Sequence, residues 1–204
     1  PTSSARVDEQ RFRIIHEHEW AWRQQQFAGL DDEDSQGLPA AHLPRVDASS
    51  QRAREKYWAR ILGLLFGIEP DALCHERLAD YQVYRQQIET LLADQRLCTW
   101  QIPFNSDSAF WSNLGFTARL PRRTRDDYHR YLGQLRDIPR YFNEHIANMR
   151  AGLARRFSAP RITLAGRDQA IATAAQTSDE RNPFYAPFRH ISSFMPAREQ
   201  ASLR

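Results

Sequence analysis

The chain has 204 residues, with 28 basic and 25 acidic side chains (formal net charge +3), 41% hydrophobic residues and a mean hydropathy of −0.69. This balance suits a charge-rich globular protein and argues against a disordered tail, and no run approaches the ~18 apolar residues that a membrane span needs. Two cysteines, Cys74 and Cys98, are too few for a disulfide scaffold, and the lack of a C-x-x-C pair removes the common zinc-finger layouts.

The first residues, Pro1 to Ala5, contain neither a methionine nor a charged-then-apolar leader, the pattern left by signal cleavage or trimming. Residues 7–27 predict a long amphipathic helix, with Phe12, Ile15, Glu19 and Trp22 on one stripe and Ile14, His18 and Ala21 on its neighbour. Residues 30–50 predict a long polar connection, in which Asp31 to Asp34 precede Gly37, Pro39 and Pro44. Ser49 or Ser50 is the expected cap of a second helix carrying Trp58, Ile61, Leu62 and Leu65, which Gly67 and Pro70 end. A third helix over 77–95 shows the clearest period, with Tyr81, Tyr84, Ile88, Leu91 and Leu92 on one face. From Cys98 to Arg123 no period survives. The stretch from Trp100 to Trp111 mixes bulky aromatics with small polar residues, and so many large apolar groups in a loop must fill a neighbouring surface or a cleft.

Helix resumes at Thr124, where Asp127 three residues on completes a weak capping box and Tyr128, Tyr131, Leu132 and Leu135 follow as a stripe. Ile138-Pro139 predicts a kink or a break, because proline lacks a donor and restricts the residue before it. A new stripe, Phe142, Ile146, Met149 and Leu153, then runs to about Arg155. Residues 160–164 predict a short extended piece, 168–176 a short helix and 182–188 a second aromatic loop. Pro196 opens a last helix with room for about two turns, so further chain is expected to follow. The elements add up to an all-α fold: an array of long antiparallel helices with two aromatic-rich loops, expected to be an incomplete domain.

Familiar catalytic templates are missing. His16-Glu17-His18-Glu19-Trp20 resembles a zinc-protease helix, but that motif needs histidines four residues apart and Trp20 stands at the second position. The sequence contains no Gly-x-Ser-x-Gly elbow, no phosphate loop and no dinucleotide glycine motif. Cys74 and His75 are chain neighbours, a poor arrangement for a catalytic dyad. Lys56 is the only lysine, so the positive charge is almost all arginine, which suits fixed ion pairs, although GC-rich codon usage gives the same bias. Residues 1–100 carry 12 basic and 16 acidic groups, net −4, and residues 101–204 carry 16 and 9, net +7, so the halves are expected to face each other. The arginines around Arg119 to Arg130 are interleaved with Asp126 and Asp127, which favours an ion-paired surface over a nucleic-acid site.

Several stretches, taken in order, resemble one family. These are EWAWR at 19–23, RLADY at 77–81, WQIPFNSDSAFW at 100–111, RTRDDYHRYLGQLRDIPRYF at 123–142, NMRAGLA at 148–154, Pro160-Arg161 and NPFY at 182–185. Together they resemble the bacterial domain of unknown function 885. Members of that family are longer and mostly helical, are often exported or lipid-anchored, and have a fold resembling gluzincin zinc metallopeptidases. Their metal-binding helix lies in the half that follows the region matched.

The resemblance implies that residues 1–204 form the N-terminal helical part, walling a substrate cleft and supporting a C-terminal metal-binding half absent from this chain. On that basis no catalytic residue, metal ligand or cofactor is expected here, with zinc belonging to the full-length parent. The expected partners are the missing half and a peptide-like or amide substrate, in an exported (periplasmic, secreted or lipid-anchored) setting, with no nucleic acid and no membrane span. Asn105, Asp107 and Tyr185, on the two aromatic loops, are the expected hydrogen-bonding residues of the cleft. The competing reading makes both loops packing corners between helices and the chain a non-catalytic helical binding or scaffold module. Arg156 departs from the family, which usually has glycine there; if the position requires positive φ, arginine is strained in it.

Overall fold

The computed structural model describes residues 3–27, 30, 40–105, 107–112, 114–178, 181–189, 191, 196, 198 and 200. Among them no strand forms, and the single extended pairing is an isolated antiparallel bridge between Phe104 and Ala109, so the fold is all-α. Helices α1 (Ser3–Phe27), α2 (Ala48–Leu65) and α3 (His75–Leu97) make one packed group. The remaining helices are α4 (Leu114–Arg119), α5 (Arg125–Ala154), α6 (Arg167–Ala175) and α7 (Ala186–Arg189). Short 3₁₀ turns at Pro70–Ala72, Thr99–Gln101, Arg161–Leu164 and Pro183–Tyr185 connect them. No described helix is long and apolar enough to cross a membrane.

The α1–α3 core follows the predicted stripes. Phe12 and Ile15 of α1, Trp58, Ile61 and Leu65 of α2, and Tyr81, Tyr84, Ile88 and Leu92 of α3 are all buried together. Glu19 shares the α1 stripe and is completely buried. Its carboxylate accepts from Trp58 Nε1 at 2.9 Å, from the Tyr84 hydroxyl at 3.0 Å and twice from Arg23, at 2.9 and 2.7 Å. A buried charge survives only when its lone pairs are filled in this way. The neighbouring stripe of Ile14, His18 and Ala21 is exposed, because the α2–α3 contact covers only one face of α1.

Local signals set most boundaries. Thr124 caps α5 and its side chain accepts from the Asp127 amide at 3.2 Å, while the Asp127 carboxylate accepts from the Thr124 amide at 2.8 Å, completing the capping box. Asp47, rather than Ser49 or Ser50, caps α2: its Oδ1 accepts from both serine amides, at 2.9 and 3.1 Å. The Asp47 carboxylate thereby fills two of the amides that the start of a helix leaves without partners. Pro139 does not break α5, which runs unbroken for 30 residues. Proline is exposed at that position, so the carbonyl it leaves without a partner can be satisfied by water.

Three further differences concern short elements. Residues 161–164 form a 3₁₀ turn rather than an extended piece, and α4 forms inside the stretch where no period was visible. Arg156 has φ 63°, the left-handed conformation that its departure from glycine put in question; Cys98, ending α3, has φ 57°. Both place a side chain where glycine is favoured. Most of the expected helix from Pro196 and much of the polar connection, residues 31–39, lie outside the described residues.

Candidate functional site

Helix α5 is the scaffold of the second half of the molecule, and one of its faces is polar and buried. Gln134, Asn148 and His145 on this face are each less than a tenth exposed. The face holds an extended strap, residues 40–47, almost entirely through the strap's main chain. Gln134 Nε2 donates to the Ala40 carbonyl at 2.8 Å, and Asp137 accepts from the Leu43 amide at 3.0 Å. Arg140 donates to the carbonyls of Leu43 and Pro44 at 2.8 and 3.2 Å. Glu144 accepts from the Val46 amide at 2.8 Å, and Asn148 donates to the Val46 carbonyl at 2.7 Å.

The spacing of these residues, three or four apart, puts them on one face of a helix. At Gly133 a Cβ atom would lie 2.2 Å from the Ala41 carbonyl oxygen, so glycine is what lets the strap come this close. Asp137 also pairs with His42 Nδ1 at 3.0 Å, and Glu144 with Arg45 Nε at 3.0 Å.

The strap's Leu43 and Val46 enter an apolar cluster with Leu114 of α4 and Tyr141 of α5. Both aromatic loops end in the same cluster: Phe110 and Trp111 arrive from the first and Phe184 from the second. Phe110 lies flat on His145, with ring centroids 4.0 Å apart and an interplanar angle of 25°. Tyr141 meets the same imidazole edge-on at 4.6 Å. Neither ring nitrogen of His145 has a hydrogen-bond partner, and burial pushes its pKa down to about 4. The second loop is fastened by the Tyr131 hydroxyl, which donates to the Phe184 carbonyl at 2.8 Å; burial pushes this phenol up to about 12. Arg122 covers the Tyr131 ring at 3.8 Å and donates to the carbonyls of Thr117, Ala118 and Leu120, closing the end of α4.

The three expected cleft residues occupy different settings. Asn105 shapes its own loop: its Oδ1 accepts from the amides of Asp107 and Ser108 at 2.8 and 2.9 Å, and its carbonyl accepts from Arg167 at 3.1 Å. Asp107 is exposed at the loop tip. Tyr185 is half-buried in another cluster, 5.9 Å from Phe188. Among the described residues no hydrogen bond or ring contact joins Asn105 or Asp107 to Tyr185, although the loops that carry them meet through Phe110, Trp111 and Phe184. The sequence reading missed His145 and the strap-holding stripe. The visible signal was polar side chains three and four apart through 134–148, beside the apolar period that drew attention.

The described residues do not fit zinc. No group of three or more His, Cys, Asp or Glu side chains among them could hold a metal ion. Glu19 is committed to Trp58, Tyr84 and Arg23, and His16 stands against the edge of Tyr84 at 4.8 Å. Cys74 and Cys98 are free and flank opposite ends of α3.

A family model described as bacterial protein of unknown function (DUF885) covers residues 24–204. No curated protein and no solved structure matches the chain.

Proposed function

Since the chain belongs to the bacterial family of unknown function 885, we propose that it is the helical, non-metal-binding part of a zinc-metallopeptidase-like hydrolase, walling a cleft for a peptide-like or amide substrate. One observation carries this reading: two aromatic loops far apart in sequence converge on one face of α5, with the polar tip of the first loop left exposed. A wall of this kind needs a rigid apolar base and a few polar groups at its edge. The base is the Phe110, Trp111 and Phe184 cluster, and the edge carries Asp107, held in place by Asn105. Zinc and the reacting atoms belong, in this reading, to the metal-bearing half, and no chemical step is assigned to residues here. The same reading puts the protein in an exported setting.

The test uses the full gene product and the 204-residue chain side by side. The chain alone is expected to show no peptide hydrolysis and no stoichiometric zinc by elemental analysis. In the full product, Asp107→Ala is expected to raise KM several-fold with little change in kcat, as for a group that binds substrate and transition state equally. One tightly held zinc per 204-residue chain, or an Asp107→Ala variant with unchanged kinetics in an active full product, would overturn the assignment. A second reading, a non-catalytic binding module, is favoured by exposed apolar side chains such as Ile162, Val83 and Leu153. A full product that hydrolyses no peptide and binds no zinc would support it.

A further inference from the structure

His145 has no role in the proposed wall, yet it stands where the strap, the first aromatic loop and α5 meet. It is 7% exposed, sandwiched by Phe110 and edged by Tyr141, with both nitrogens unpartnered. Among the described residues, burial alone lowers its proton affinity and no charged neighbour offsets that. From the strap come Leu43 and Val46, from the loop Phe110 and Trp111, from α4 Leu114, and from the second loop Phe184. The strap's own ionisable groups are committed elsewhere, His42 to Asp137, Arg45 to Glu144 and Asp47 to Ser49, Ser50 and Arg45, and Asp107 of the first loop is exposed at its tip. On α5, Glu144 is bonded to Val46, Arg45 and Arg140, and Asp137 to Leu43, His42 and Arg140. The Tyr141 hydroxyl is directed to the Phe110 carbonyl at 3.4 Å.

We propose that His145 is an acid-sensitive latch: a proton taken from solvent onto its imidazole drives the ring out of the Phe110–Tyr141 stack and frees the 102–112 loop from α5. The α1–α3 core has no buried histidine and stays closed. Protonation would leave two N–H donors and a full charge in an apolar stack, and attraction to the faces of two rings offsets only part of that cost.

The sign follows from burial. Held down to about 4 in the closed form against 6.5 for a free histidine, His145 supports the closed form fully above 6.5. That support is lost progressively as pH falls from 6.5 toward 4. Between pH 7.5 and 5 the open form gains about 30-fold, from the ratio of the two binding polynomials.

Backbone hydrogen exchange read by mass spectrometry at pH 7.5 and 5.0, corrected for the intrinsic chemical rate, tests this. Protection of 102–112 is expected to fall about 30-fold at the lower pH, with 58–65 and 81–92 unchanged. His145→Phe, which keeps the stack and cannot titrate, is expected to abolish the fall. An equal fall in His145→Phe, or none in the unaltered protein, overturns the latch. Should the variant fail to fold, the imidazole Cε1–H titration of His145 in the unaltered protein decides: a midpoint well below 6.5 supports the latch, and one at or above 6.5 overturns it.

Discussion

Replacing Glu19 by alanine should be the most damaging single polar change in the α1–α3 core. The carboxylate is fully buried and accepts four hydrogen bonds, from Trp58, Tyr84 and both arms of Arg23. Removing it strands the Trp58 N–H and the Tyr84 O–H in an apolar core and leaves the Arg23 guanidinium, whose side chain is only 12% exposed, without its counter-charge. Hydrogen bonds to a charged acceptor contribute about 1.5–3 kcal/mol each, and breaking a buried ion pair from one side costs about 3–5 kcal/mol. These overlap, so the expected loss is about 4–6 kcal/mol. That loss is comparable to the whole stability of a marginal domain. At about 2–4 °C per kcal/mol for a chain of this size, Tm should fall by about 10–20 °C. Glu19→Gln keeps the shape and one acceptor and should lose about half as much; Tyr84→Phe should lose about 2 kcal/mol. Urea unfolding followed by tryptophan fluorescence measures all three, with buried Trp58 as a reporter beside the change. A loss below about 1 kcal/mol for Glu19→Ala would refute the claim that this carboxylate locks the three helices.

Two glycines should respond in opposite directions. Gly63→Ala meets nothing within 4 Å on α2 and is expected to stabilise by about 0.5–1 kcal/mol through helix propensity, whereas Gly133→Ala drives a methyl into the Ala41 carbonyl and is expected to cost about 1–3 kcal/mol. Thermal melts of the pair check this, and equal shifts would deny that the strap is seated on Gly133. Asp47→Ala should cost about 1–2 kcal/mol by uncapping α2. Burial alone would raise the Asp47 carboxyl, but hydrogen bonds from Ser49, Ser50 and Arg45 outweigh it and hold the group well below the usual carboxylate range. Its stabilising effect is therefore complete above the unfolded value near 3.9 and lost as pH falls below it. A wild-type minus Asp47→Ala stability difference that shrinks below about pH 4 is the expected curve.

How much could be read from the sequence depended on whether the signal was local. The stripes of Phe12 and Ile15, Trp58 and Ile61, and Tyr81 to Leu92 each repeat within one helix, so period alone marked the candidate faces, and on α1 packing chose between two neighbouring stripes. The Thr124–Asp127 box was legible because a cap and its partner lie three residues apart. On α5 the reading failed for a specific reason. Phe142, Ile146, Met149 and Leu153 form the more hydrophobic stripe, yet the buried face is Gln134, Tyr141, His145, Asn148 and Gly152, with Leu153 exposed. The strap covers Gln134 and Asn148 of that face and brings carbonyls to satisfy, so polar side chains suit it better than apolar ones there, while Phe110 lies on His145 and Gln101 and Phe157 close over Gly152.

The expected cleft residues mark the same limit. Asn105 was expected to offer hydrogen bonds to a cleft, but nothing in the sequence revealed that its side-chain oxygen already accepts from the amides of Asp107 and Ser108.

By itself, the sequence determined that this protein is all-α, where its long helices lie and which family it resembles, because helix periodicity, capping and motif order are properties of neighbouring residues. Only the tertiary structure decided that residues 40–47 lie along α5, that two distant aromatic loops share one cluster, and that His145 is enclosed there without a partner. The strap's place depends on contacts across 94 to 102 residues of chain, such as Asp137 with Leu43 and Asn148 with Val46, and the loops' on contacts across 31 to 53, Tyr141 with Phe110 and Tyr131 with Phe184. A pairing over that distance leaves no period in either segment, since each side supplies only the groups that the other happens to need.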